Sequence, residues 1–116
     1  MKRVAWIQMG WLLLVLLLPS GSGAAIEYSD CDRGKVANVF TAQSGIVWVA
    51  FAKQEGTTTI RTAIYWDMSR PAAGMLLNQI RSAQMRSVNV TVRYPGLDSC
   101  QSLLARNDFF GIWVGQ

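Results

Sequence analysis

Few side chains in this sequence are equipped for chemistry. Its 116 residues include no histidine, two cysteines, eleven lysines and arginines, and seven aspartates and glutamates. Without an imidazole, a general base near neutral pH would have to be a perturbed carboxylate, lysine or cysteine. The carboxylates are scattered through turn-like stretches with no paired spacing, and neither a glycine-rich phosphate loop nor a nucleophile in a recognisable turn is present. Two sulfurs fall short of a metal-ligand set. The sequence therefore predicts a protein that is not an enzyme and uses no cofactor or metal, so its chemistry would be recognition. Trp66 is the leading candidate, because a partly exposed indole offers a flat polarizable face and an N–H donor to the apolar face of a sugar. Arg61, Asp67 and Ser69 lie near the same strand end and could supply directional hydrogen bonds to hydroxyls or to a carboxylate. The competing assignments are a core or interface tryptophan, and solvated or capping residues. Trp48 and Trp113 sit in apolar segments and are expected to be structural.

The cysteines, Cys31 and Cys100, carry the second piece of chemistry. An even count in an exported chain predicts a disulfide. An intramolecular bond would close a loop of about 70 residues and stabilise by roughly 4 kcal/mol in the chain-entropy model. Two free thiols or a bridge between chains are the alternatives.

Export itself is read from residues 1–24. Met1-Lys2-Arg3 is a short positive start, Val4 to Leu18 is largely apolar, and Pro19 to Ala25 supplies a break and small residues. This is the layout of a signal peptide, with cleavage expected after Ala24. The apolar run is short of the roughly 20 residues a membrane-spanning helix needs. The expected address is across the inner membrane, periplasmic or secreted. Removing Lys2 and Arg3 lowers the net charge from +4 to +2. That is too weak a balance to argue for nucleic acid as a partner. Residues 25–116 are expected to form one domain, small enough to need a covalent or oligomeric supplement to its core.

The elements that must position these residues are short strands. Gly34 to Phe40 is the first expected strand, opened by a turn at Asp30-Cys31-Asp32-Arg33. Ile46 to Lys53 is the second, apolar on both faces and so expected to be covered on both. Gln54-Glu55-Gly56 makes a hairpin turn. Thr57 to Trp66 is the third strand, with Thr58, Ile60, Thr62, Ile64 and Trp66 on one face and Arg61, Ala63 and Tyr65 on the other. A helix follows, with Ser69 as N-cap and Pro71 in its first turn. Ala72, Leu76, Ile80 and Ala83 form its apolar stripe, with Arg81 and Arg86 on a polar side. Ser87 to Tyr94 alternates as a half-buried strand. Asn89-Val90-Thr91 is a glycosylation sequon, but it falls inside that strand. Ser99 to Arg106 predicts a short helical turn, and Phe109 to Val114 a last strand with a bulge at Gly111. Mainly β, five strands with one central helix between strands 3 and 4, is the pattern of an OB-fold, a five-stranded Greek-key barrel. An α+β roll is the competitor.

Three stretches carry a family resemblance. Asp30-Cys31-x-x-Gly34-Lys35-Val36 resembles the opening of the Shiga toxin B subunit. Ser82-Ala83-Gln84, leading into Val90-Thr91-Val92-Arg93, is similar in spacing to that subunit's helix end and fourth strand. Cys100 follows where the Shiga-type bridge would place it. The segment from Trp66 to Ser82 is longer than its Shiga counterpart and looks closer to the B subunits of subtilase and pertussis-like toxins. Trp66 itself resembles a Shiga-type tryptophan that can contact sugar. The resemblance implies a B subunit of a one-A/five-B toxin: an OB-fold protomer in a homopentameric ring, binding cell-surface glycans on glycolipids or glycoproteins. The helices would line a central pore; Arg81 and Arg86 could face that pore or a neighbour, where an A subunit tail could dock, or simply form a solvated helix face. The alternative function is a periplasmic OB-fold module that binds a protein or envelope polymer and has no A subunit.

Overall fold

The computed structural model describes residues 27–115, so the expected signal peptide at 1–24 lies outside the described residues. Strand β1 spans Tyr28–Thr41, β2 Ile46–Glu55 and β3 Thr58–Asp67; helix α1 spans Ala73–Arg86; strand β4 is Asn89–Pro95, followed by a single 3-10 turn at Ser99–Gln101 and strand β5 at Gly111–Val114. All five strands belong to one antiparallel sheet in the order β3-β2-β1-β4-β5.

Strand β1 organises the sheet because it serves two neighbours. Its first half pairs with β4 from Tyr28–Pro95 to Lys35–Asn89, and its second half pairs with β2 from Lys35–Ala52 to Thr41–Val47. Two bulges bend it between the partners, one between Asp32 and Gly34 and one between Val36 and Asn38. Each inserts one residue and so switches which face the next side chain takes. Inward positions therefore fall at Cys31, Arg33, Val36 and Val39 rather than at every second residue. Gly34 sits at the first bulge with φ +83°, where a Cβ would lie 2.4 Å from the Ala52 carbonyl oxygen. Only glycine lets the two backbones approach that closely. The turn expected at Asp30–Arg33 is accordingly strand, and β1 starts six residues earlier than the sequence predicts.

The sheet is not closed into the expected barrel. The end strands β3 and β5 are not paired; β3 instead makes one isolated parallel bridge, Ile64 to Arg106, with the chain between β4 and β5. There Tyr65 N–H donates to the Arg106 carbonyl at 3.1 Å, and Arg106 N–H donates to the Ala63 carbonyl at 3.3 Å. The chain that would complete the wall leaves the ladder at once. The Arg106 guanidinium folds back onto Asp108 with two hydrogen bonds of 2.9 and 2.7 Å, and regular pairing resumes only in β5. Gly111 pairs with Arg93 in uninterrupted register, so the bulge expected there is absent. The helical turn expected over Ser99–Arg106 is limited to Ser99–Gln101.

Helix α1 lies between β3 and β4 in sequence and buries Ala73, Leu76, Ile80 and Ala83. It starts later than expected. Ser69 does not cap it; Ser69 N–H instead donates to Asp67 Oδ1 at 2.8 Å. Two further turns, Arg70 N–H to the Asp67 carbonyl and Ala73 N–H to the Arg70 carbonyl, reverse the chain before the helix can begin. The N-cap is Ala72 at φ 65°, with no side-chain cap. At the other end Ser87 adopts φ 52°, and Val88 N–H donates to the Ala83 carbonyl, a Schellman-type stop. The stripe packs over one core that includes Val47, Val49, Phe51, Ile64, Trp66, Val90, Val92, Tyr94 and Phe109.

Cys31 on β1 and Cys100 in the 3-10 turn are joined as a disulfide, with Cα atoms 5.3 Å apart. The bond anchors the 3-10 turn that follows β4 to the bulged half of β1. Among the described residues no helix is long and apolar enough to cross a membrane.

Candidate functional site

Alternation along β2 and β3 sorts their side chains into two faces. Val47, Val49 and Phe51 on β2, and Thr62, Ile64 and Trp66 on β3, point into the core. The other set points outward: Trp48, Ala50 and Ala52 on β2, with Arg61, Ala63, Tyr65 and Asp67 on β3. Their register pairs are Trp48–Tyr65, Ala50–Ala63 and Ala52–Arg61, and Phe40 on β1 stands opposite Trp48. A row of three aromatics, Phe40–Trp48–Tyr65, thus crosses three strands on the outer face. Trp48 and Tyr65 stack at 4.5 Å between ring centroids with 19° between planes. Phe40 is 61% exposed and Trp48 40%.

Beside this row the floor is flat, because Ala50 and Ala63 carry only methyl groups. Strand rise of about 3.3 Å per residue puts Asp67 roughly 7 Å along β3 from Tyr65 and Arg61 roughly 13 Å the other way. Asp67 is a fixed acceptor: the Ser69 backbone N–H, and then its hydroxyl, hold the Asp67 carboxyl below the usual carboxylate range. Arg61 is exposed. An aromatic ledge, a small-residue floor, a cation and an anion on one exposed face can take up a ligand with apolar C–H patches and many hydroxyls.

Of the residues singled out from sequence, Arg61, Asp67 and Ser69 belong to this region. Trp66 does not. Its side chain is 2% exposed, packs edge-on against Phe109 at 5.9 Å, and turns no face to solvent. The physical cause is parity: Trp66 shares a strand face with Thr62 and Ile64, and that face is the core. Trp48 and Trp113, both expected to be structural, are exposed, and at Trp48 the outer face of β2, expected to be covered, meets solvent. The signal that could have found Trp48 is the composition of its own face, where the two companions are alanines and the opposite face holds valines and phenylalanine. Arg81 and Arg86 are exposed on α1.

A second aromatic group lies on the outer face of β1, β4 and β5. The Arg93 guanidinium sits over Tyr28 at 3.8 Å and near Trp113 at 4.7 Å, while donating to both Asp30 carboxylate oxygens at 2.7 and 3.0 Å. This pairing lowers the Asp30 pKa and raises that of Arg93. A guanidinium already covers these rings, which makes them the less available platform of the two.

No family model and no curated protein matches this sequence.

Proposed function

We propose that this chain is an exported, non-catalytic module that binds glycans through the outer face of its β1–β2–β3 sheet and assembles into a ring, as the toxin B subunits it resembles do. The observation that carries the proposal is the outward row Phe40–Trp48–Tyr65 beside the Ala50–Ala63 floor, with Asp67 and Arg61 at either end. Rigid aromatic faces bury sugar C–H groups at small entropic cost, and the flanking charges orient hydroxyls. The OB-type assignment is supported by the strand order, by the helix between β3 and β4, and by the parallel Ile64–Arg106 bridge at the place where closure would occur. Export is supported by the disulfide, a bond that persists in oxidising compartments, together with the N-terminal layout of the sequence. Ring assembly is supported by the edges of β5 and β3, which a neighbouring copy would cover; within the described residues the β3 edge is bridged only at Ile64–Arg106. A partner A subunit belongs to the same proposal through the resemblance.

The test is a glycan array probed with the purified protein and its Trp48→Ala variant, alongside sedimentation. Binding to a defined set of sugars, lost in the variant, with an oligomeric parent, is the expected result. Silence on every sugar from a monomer overturns the proposal. Capture of an envelope polymer or a protein by that monomer would support the alternative of a periplasmic module without a toxin partner.

A further inference from the structure

The inward side of the first β1 bulge holds a cation with no anion. Arg33 is 5% exposed. Its Nε donates to the Tyr94 hydroxyl at 3.2 Å, Nη1 to the Cys100 carbonyl at 3.3 Å and Nη2 to the Ser102 carbonyl at 3.3 Å. A guanidinium has five N–H donors, so two are left over. None of the ion pairs within 4.0 Å among the described residues involves Arg33. The contrast with its neighbours is sharp. Arg93 and Arg106, both less buried, each close on a carboxylate with two hydrogen bonds. Arg106 even shares the Tyr94 ring with Arg33, the two guanidinium carbons lying 4.6 and 5.0 Å from the ring centroid. A desolvated cation served by three neutral oxygens and a share of one aromatic ring, with no carboxylate partner, remains under-compensated.

Arg33 lines a cleft of about 540 Å³ at the unclosed seam of the sheet, between the start of β3 and the disulfide-anchored segment. Thr62 lines the same cleft. It is 7% exposed, and its buried hydroxyl has no hydrogen-bond partner among the described residues. Burying a hydroxyl unpaired is unfavourable, so two independent polar vacancies border one cavity. Carboxylates also line it, and each is already engaged. Asp30 is held by Arg93, Glu55 lies 3.2 Å from Lys53, and Asp32 accepts the Gly34 N–H at 2.9 Å and lies 4.0 Å from Lys53. These three are exposed, whereas Arg33 and Thr62 are buried. The cleft thus has a cation and a hydroxyl in its depth and hydrogen-bond acceptors towards its mouth.

We propose that this cleft binds a carboxylate-bearing sugar, with the carboxylate on the spare Arg33 N–H groups, a ligand oxygen or hydroxyl on Thr62, and ligand hydroxyls donating to the carboxylates near the mouth. A planar carboxylate matches two guanidinium N–H groups, and the acceptors of the mouth disfavour a ligand with charge but no hydroxyls. The site is separate from the aromatic row, and it can hold or fail independently of the glycan reading given to that face.

The test uses the disulfide-bonded protein titrated with glucuronate, glucose and acetate at matched ionic strength, followed by NMR at Arg33, Thr62 and their neighbours. Glucuronate is expected to shift these signals and to bind at least about fivefold more tightly than either control, one hydrogen bond's worth of selectivity. Thr62→Val is nearly isosteric and removes the orphaned hydroxyl, so it is expected to melt no lower than the parent while binding glucuronate about fivefold more weakly. Arg33→Lys keeps the charge, loses the fork, and is expected to weaken binding roughly tenfold. No response to glucuronate overturns the proposal. So does equal binding of glucose or of acetate, or a well-folded Thr62→Val protein that binds as the parent does.

Discussion

Two tryptophans on one hairpin occupy adjacent rungs of the same ladder. Trp66 pairs with Val47, and Trp48 pairs with Tyr65 one position away. The first is sealed between the sheet and Phe109, with its indole N–H lacking a partner among the described residues. The second stacks on Tyr65 and keeps much of its surface in water. The residue type is the same and the strand propensity is the same, so neither can explain the difference. Side chains alternate across a strand, and a step of one position exchanges core for solvent. An inner tryptophan is held by the burial of its whole surface, whereas the outer one leaves 40% of its surface in water and gains about 0.5–1.5 kcal/mol beyond area burial from its stack on Tyr65. The inner row therefore answers for stability, and the outer row is the one proposed for recognition.

That division can be broken by mutation. The largest effect is expected from Trp66→Ala, which leaves a cavity in the core and should cost about 3–5 kcal/mol in chemical denaturation. Trp66→Phe should cost clearly less, because it keeps the ring packing and removes the unpaired N–H. A Trp66→Ala protein that melts like the parent would show that the inner row is not the core. Next is Gly34→Ala, where a Cβ at positive φ meets the Ala52 carbonyl. Strain of that kind is expected to cost about 2–4 kcal/mol, with loss of amide protection where β1 crosses between β4 and β2. Trp48→Ala is predicted to lower stability by only about 1 kcal/mol while abolishing array binding, which sharpens the contrast with position 66. A loss as large as that at Trp66 would make the outer row structural.

The smallest effect concerns the Asp30–Arg93 pair on the outer face. The folded Asp30 pKa lies below its unfolded value. The pair's contribution is therefore present above the unfolded pKa, about 4, and lost as pH falls through the folded value. Asp67 and Asp108 are shifted in the same direction. Asp30→Asn should thus flatten the acid limb of the melting temperature slightly without removing it. A steeper limb in the variant would contradict this sign.

Much of the fold was legible. In β4 the residues Val90, Val92 and Tyr94 alternate cleanly and are inward, because a strand with one solvated face writes its period into the sequence. The disulfide followed from an even cysteine count in a chain expected to be exported. Strand β1 was harder. Its two bulges put Cys31, Arg33, Val36 and Val39 on one side, a spacing that matches neither the strand nor the helix template. The Ser69 cap failed for a local reason: Asp67, two residues earlier, already accepts the Ser69 N–H, and the chain turns twice more before α1. Of the candidate site, Arg61 and Asp67 were found and Trp48, Tyr65 and Phe40 were not. Arg33 had no signature at all, since a charged residue in a presumed turn reads as solvated.

The sequence alone determined what local periodicity and composition can encode: five extended segments, one helix between the third and fourth, a single pair of cysteines, and the absence of imidazole. Which aromatic face meets solvent, and which arginine is buried without a carboxylate, was decided only when β1 bent between β4 and β2 and the sheet stopped short of closure. Those outcomes depend on residues far apart in the chain, such as Arg33 with Cys100 and Ser102, or Phe40 with Trp48. No window of neighbouring residues contains the register and bulges that bring them together.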